Sequence, residues 1–96
     1  MNSNVVGVMG LLPETFLQRL RSDKVVNCIY KRDEHAGLIS AWAFDGRFVL
    51  TWEECLDGDQ YNENAYTRDE RHEFEAAEHV LAFVEQRGYP AAMFGP

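Results

Sequence analysis

Residues 53–78 hold ten carboxylates, Glu53, Glu54, Asp57, Asp59, Glu63, Asp69, Glu70, Glu73, Glu75 and Glu78, against two cations, Arg68 and Arg71. Side chains of that type and density do one of two things. They ligate a metal, or they pair with the Lys and Arg of a partner that otherwise holds phosphates. Spacing tests the first. His72, Glu75 and His79 stand at offsets of three and seven, which return to one side of a helix, and His with carboxylate suits zinc or iron. That spacing matches no helical metalloprotease, and Glu78, Glu85 and Gln86 share the same side, so a solvated polar face is the plainer reading. Asp57-Gly58-Asp59 opens like a calcium loop. It then places Tyr61 at the fifth position and Asn62 at the sixth, where an oxygen ligand and a glycine are needed. No metal and no cofactor are expected.

Nucleophilic chemistry is equally poorly supplied. Cys28 falls in a strand-like segment, where a buried, inert thiol is the usual outcome. Cys55 follows Glu53 and Glu54, whose negative charge opposes thiolate formation. Two cysteines make no zinc motif; a bridge between them needs their strands to be neighbours, and free thiols are expected. A glycine-rich phosphate loop and a Gly-x-Ser-x-Gly elbow are both missing from the sequence. The expectation is a non-enzymatic protein. Its candidate partner-binding residues are Glu53, Glu54, Asp57, Asp59, Glu63, Asp69 and Glu70 for charge, with Tyr61, Tyr66 and Trp42 as the rigid amphipathic anchors common in interface hot spots.

These residues need elements to position them. Pro13 and Glu14 suit a first helical turn, and Phe16, Leu17 and Leu20 form an apolar stripe, predicting a short helix over 13–22. Residues 24–32, with Val25, Val26, Ile29 and Tyr30, predict a strand, followed by a loop over 33–37 in which Gly37 takes the positive φ. Asp45-Gly46 is among the strongest two-residue hairpin signals, because both central positions require φ above zero. In that register Phe44 opposes Arg47, Trp42 opposes Val49 and Ser40 opposes Thr51. One face of the hairpin over 38–52 then shows Ile39, Ala41, Ala43, Phe48, Leu50 and Trp52, all apolar, and is assigned to the core. The other shows Leu38, Trp42, Phe44 and Val49 among Ser40, Arg47 and Thr51; it is either covered by the first helix or left as an interface.

Residues 53–66 are polar and acidic and predict a long connection, with room for a strand near its end. Thr67 and Glu70 form a capping-box pattern, and Phe74, Ala77, Val80, Leu81 and Val84 follow at helical spacing, predicting a long helix over 68–87. Gly88, Tyr89 and Pro90 supply its terminator, and residues 91–94 have the makings of a short last strand. The fold class is therefore α+β: a short N-terminal helix, a three-stranded antiparallel meander, and a long C-terminal helix packed on one sheet face.

Ninety-six residues make one domain, 1–96, able to bury a modest core without staples. The net charge of −7 argues against direct nucleic-acid or anionic-membrane binding; residues 1–52 carry +1 and residues 53–96 carry −8. Neither a signal peptide nor a membrane span is visible, so a cytoplasmic protein is expected. In size, acidity, lack of catalytic motifs and small α+β layout, the chain resembles phage-encoded inhibitors of bacterial defence, the anti-CRISPR proteins especially. The likeness is one of general character over the whole chain. It implies a nucleic-acid mimic, acting in the bacterial host cytoplasm, whose acidic surface blocks a basic, nucleic-acid-binding surface of a partner such as a CRISPR effector complex. The competing expectation is a self-associating module that dimerises through the face carrying Trp42, Phe44 and Val49.

Overall fold

A computed structural model of the chain describes residues 10–58, 62 and 65–96. The small apolar residues of 1–12, with Gly7 and Gly10, suggest a loop or short edge strand, and most of that segment falls outside the described residues. Helix α1, Pro13–Arg21, begins with proline at its first position and Glu14 in its first turn. It buries Phe16 and Leu20 completely. Strands β1 (Val26–Arg32), β2 (His35–Phe44) and β3 (Arg47–Leu56) form an antiparallel meander in the order of the chain. The turn between β2 and β3 places Asp45 at φ 54° and Gly46 at φ 78°, and the ladder pairs Phe44 with Arg47, Trp42 with Val49 and Ser40 with Thr51, as the hairpin signal predicts.

The meander does not stop at three strands. Residues Tyr66–Phe74 form β4, which pairs antiparallel with β3 and completes a four-stranded sheet of order β1-β2-β3-β4. The C-terminal helix α2 is shorter than the pattern implies, Ala77–Gln86, and its N-cap residue Ala76 makes no side-chain cap. The capping-box reading of Thr67 and Glu70 therefore fails. Thr67 instead donates its hydroxyl to the carbonyl of Glu54 at 3.2 Å. The physical reason lies in a sequence with two periods. Phe74, Ala77 and Val80 fit a helix, while Tyr66, Arg68, Glu70, His72 and Phe74 alternate with exposed Thr67, Asp69, Arg71 and Glu73. Pairing with β3 satisfies the backbone over this stretch, and tertiary pairing overrides a weak local preference.

Both helices lie on one face of the sheet. Phe16 and Leu20 of α1, and Ala77, Val80, Leu81 and Val84 of α2, join Val26, Cys28, Tyr30, Ile39, Ala41, Leu50 and Trp52 in a single buried cluster. The chain leaves α2 through Gly88 at φ 91°, and Tyr89 and Phe94 return to the same core. Residues Ala91–Met93 form a 3₁₀ turn rather than the expected last strand, and only Gly95 bridges to Asn27 of β1.

Gly37 has a different use from the expected one. It sits inside β2, and Asp33, at φ 58°, carries the left-handed turn instead. Its missing side chain matters because the Tyr30 ring lies across it, occupying the space a Cβ needs. Tyr30 thereby reaches inward, accepting from the Trp52 indole at 2.9 Å and donating to Glu54 at 2.6 Å. Gly37→Ala should cost about 1–3 kcal/mol of stability through overpacking against Tyr30. Urea unfolding of the variant, compared with Gly95→Ala, where a Cβ meets open space, measures this; a Gly37 variant as stable as wild type would show that the contact is not needed.

Candidate functional site

Strand periodicity divides the sheet residues between two faces. Opposite the helices, β1 places Asn27, Ile29 and Lys31, β2 places Leu38, Ser40, Trp42 and Phe44, β3 places Arg47, Val49, Thr51 and Glu53, and β4 places Asp69, Arg71 and Glu73. No helix covers this face among the described residues, which settles the question of α1: it does not pack over Trp42 and Phe44. Ile29 is 84% exposed and Phe44 60%, while Trp42 is half-buried and Val49, in the centre of the ladder, is 1% exposed. Such large apolar side chains on an open sheet surface, ringed by charge, have the make-up of a protein-contact surface.

A groove of about 450 Å³ runs between these side chains where β2 carries only Ala36 and Gly37. Ile29, Lys31, Leu38, Glu53, Cys55 and Tyr66 line it. Tyr66 reaches this side because the β3–β4 register slips between Glu54 and Cys55, setting Tyr66 opposite Cys55. A bulge of this kind re-aims one side chain without disturbing the ladder beyond it. At the groove's rim Glu53 and Asp69 stand directly opposite one another on neighbouring strands. Like charges in that relation repel, and neither has an ion pair among the described residues. By contrast Glu73 receives both Arg47, at 3.5 Å, and Arg71, at 3.8 Å.

The expected acidic residues are thus distributed over more than one surface. Glu53 and Asp69 share the open face with Trp42, and Tyr66 joins them through the bulge. Asp57 is ion-paired to Lys31 at 3.2 Å. Glu54 and Glu70 point to the helix side: Glu54 accepts from Tyr30, and Glu70 pairs with His72 at 2.9 Å and with Arg68 at 3.5 Å. Asp59, Tyr61 and Glu63 lie outside the described residues. A tract that is continuous in sequence is alternated by β4 between two sides.

The metal and nucleophile readings meet the same geometry. His72 belongs to β4, Glu75 to the bend after it and His79 to α2, so the helical repeat that would gather them does not exist. No group of three metal-ligating side chains occurs among the described residues. Cys28 and Cys55 are buried and form no disulfide; they stand on strands separated by β2 and on opposite faces of the sheet. Burial pushes the Cys28 thiol up to about 11, so it is protonated at neutral pH. Burial, aided by the bond to the Glu54 carboxylate, also pushes the Tyr30 phenol well above its ordinary range.

Arg32 and Arg87 escaped the sequence reading, and Arg68 entered it only as a counter-charge to the acidic tract. Arg32, Arg68 and Arg87 meet at the helix-side end of the sheet, where each guanidinium lies over a ring: Arg32 over Tyr89 at 4.7 Å, Arg68 over Trp52 at 4.3 Å and Arg87 over Phe83 at 3.6 Å. Ile29 was missed as well, although the alternation of Val26, Cys28 and Tyr30 with Asn27, Ile29 and Lys31 places it outward. In comparisons with known proteins, no family model, curated protein or solved structure matches the chain.

The hydrogen bond from His72, with Arg68 nearby, holds the Glu70 carboxyl below its ordinary value of 4.5. A carboxyl that is more acidic folded than unfolded contributes stability above that ordinary value and loses it as pH falls through the folded one. Glu70→Gln should therefore be less stable than wild type at pH 7 and equal to it near pH 3. With Glu70 39% exposed the gap should stay below about 1 kcal/mol. Thermal melts across pH read the two curves, and a gap that widens in acid would rule out the interaction.

Proposed function

We propose that this protein is a non-enzymatic, protein-binding inhibitor that docks through its open sheet face onto a basic surface of a partner. The observation that carries the reading is the opposed pair Glu53 and Asp69 beside exposed apolar side chains. A Lys or Arg entering between the two carboxylates relieves their repulsion, while Trp42, Phe44 and Ile29 bury against the partner's apolar surroundings. Charge then gives encounter rate and orientation, and the rings give residence time. Trp42, Tyr66, Glu53 and Asp69 are the contact residues of this proposal, and Glu54 and Glu70 support the fold beneath them. The kind of partner, a nucleic-acid-binding complex of the CRISPR effector type whose basic surface is blocked, is taken from the resemblance to anti-CRISPR proteins.

One observation favours a second reading. The open face carries Arg47 and Arg71 as well as Glu53 and Asp69, so a second copy related by a two-fold axis sets cations of one against carboxylates of the other. In that case the protein is a self-associating module.

Two measurements separate the readings. Affinity capture from host cells with wild type and with the Glu53→Lys, Asp69→Lys variant should retain a nucleic-acid-binding protein on wild type alone. That protein should be released at about 1 M salt, where screening acts over ~3 Å. The same partner held by both proteins at high salt would overturn the electrostatic docking. Sedimentation of the free protein should give a monomer; a dimer dispersed by Trp42→Asp, with circular dichroism unchanged, would establish the module instead.

A further inference from the structure

The arginines on the helix side point to a ligand site of opposite sign to the chain. The inward residues Arg32 of β1, Glu54 of β3 and Arg68 of β4 line an open cavity beside the end of α2. Arg87 and Tyr89, from the segment that leaves α2, close the far side. The result is a cavity of about 280 Å³ lined by Arg32, Trp52, Glu54, Arg68, Arg87 and Tyr89. Three guanidiniums thus face one carboxylate, in a protein whose net charge is −7.

The partners of these arginines decide what the cavity takes. Arg68 is compensated by Glu70 at 3.5 Å. Arg32 and Arg87 make no ion pair among the described residues, although sixteen Asp and Glu are present in the chain and the Glu70 carboxylate feels the charge of Arg87 from farther off. Arg87 is fixed twice, over the Phe83 ring and by donating to the Phe83 carbonyl at 2.9 Å. Arg32 is held over the Tyr89 ring. A guanidinium that stacks by its face still presents N–H donors along its edge, a geometry suited to oxyanions. Trp52 and Tyr89, edge to face at 5.3 Å, form an apolar wall. Glu54 has an oxygen engaged by the Tyr30 hydroxyl.

We propose that this cavity is a binding site for a small phosphate monoester, its phosphoryl group held between Arg32 and Arg87 and its organic part against Trp52 and Tyr89. Two cations that make no ion pair match a dianion. The volume, just below the ~300–1,000 Å³ of pockets for drug-sized ligands, suits a small molecule better than a macromolecular segment. Arg68 adds a third positive charge at the wall, and Glu54 is the one group there that repels the ligand. The site lies on the face opposite the proposed docking surface and stands or falls independently of it.

The test is titration of ¹⁵N-labelled protein with phenyl phosphate and inorganic phosphate at constant ionic strength, with sodium chloride and sodium acetate as separate arms. The Nε–H signals of Arg32 and Arg87 and the indole signal of Trp52 should shift saturably with phenyl phosphate, and at higher concentration with inorganic phosphate. Arg32→Gln and Arg87→Gln should each weaken phenyl phosphate by roughly tenfold or more, the value of a charged hydrogen bond. Glu54→Gln, which keeps an acceptor for Tyr30, should tighten it. Shifts that do not saturate, or that chloride reproduces, would overturn the site, as would arginine variants that bind like wild type. Saturation by acetate as tight as by phenyl phosphate would make it a carboxylate site and refute the phosphate assignment.

Discussion

A four-stranded sheet has two faces, and the helices of the described residues cover one. The rest of the structure follows from that constraint. Helices α1 and α2 share the face formed by Val26, Ile39, Ala41, Leu50 and Trp52, where full burial of each large side chain contributes about 1.5–3 kcal/mol. Ala41 in the centre leaves the helices room to approach. On the other face Val49 is buried in the centre of the ladder, and no helix covers that face among the described residues. Residues there meet water, and Trp42 and Phe44 stand among the polar Ser40, Arg47 and Thr51.

How much of this the sequence discloses depends on the range of the signal. The Asp45-Gly46 turn, its register and the assignment of Ile39, Ala41, Leu50 and Trp52 to the core all follow from two-residue chemistry and strict alternation. Helix α1 was legible for the same local reason, through Pro13, Glu14 and its stripe. Strand β4 was not. Arg68, Asp69, Glu70, Arg71 and Glu73 have little intrinsic taste for a strand, and the pattern from Phe74 onward continues backward as a helix. Only the ladder offered by β3 decides, and that ladder is a long-range fact. Gly37 misleads in a similar way, because a glycine after Asp33 and Glu34 resembles a turn residue until the Tyr30 ring is laid over it.

The candidate site inherits the same limit. Trp42 and Phe44 could be placed on one face from the hairpin alone, and the structure leaves them uncovered. The carboxylates could not be placed, because their faces depend on β4 being a strand. Once it is, net charge ceases to describe the surface: Glu53 and Asp69 go one way, Glu54 and Glu70 the other, and the second pair meets Arg68, His72 and the Tyr30 hydroxyl. The arginine and aromatic cluster was invisible for a related reason. Arg32, Arg68 and Arg87 are far apart in sequence, and they converge only when β1, β4 and the end of α2 are assembled.

The bridge between Asn27 and Gly95 gives the sheet unequal margins. Asn27 both donates to and accepts from Gly95, at 2.8 and 2.7 Å, so the start of β1 is already occupied by the chain's own tail. At the other margin β4 has no neighbour among the described residues, and its backbone faces outward behind a palisade of alternating charge. The Asn27–Gly95 bridge shortens the stretch of β1 open to another strand, leaving β4 the longer open edge among the described residues. A blocked start on one edge and alternating charge on the other both discourage edge-to-edge stacking, which suits a protein that keeps Ile29 and Phe44 exposed.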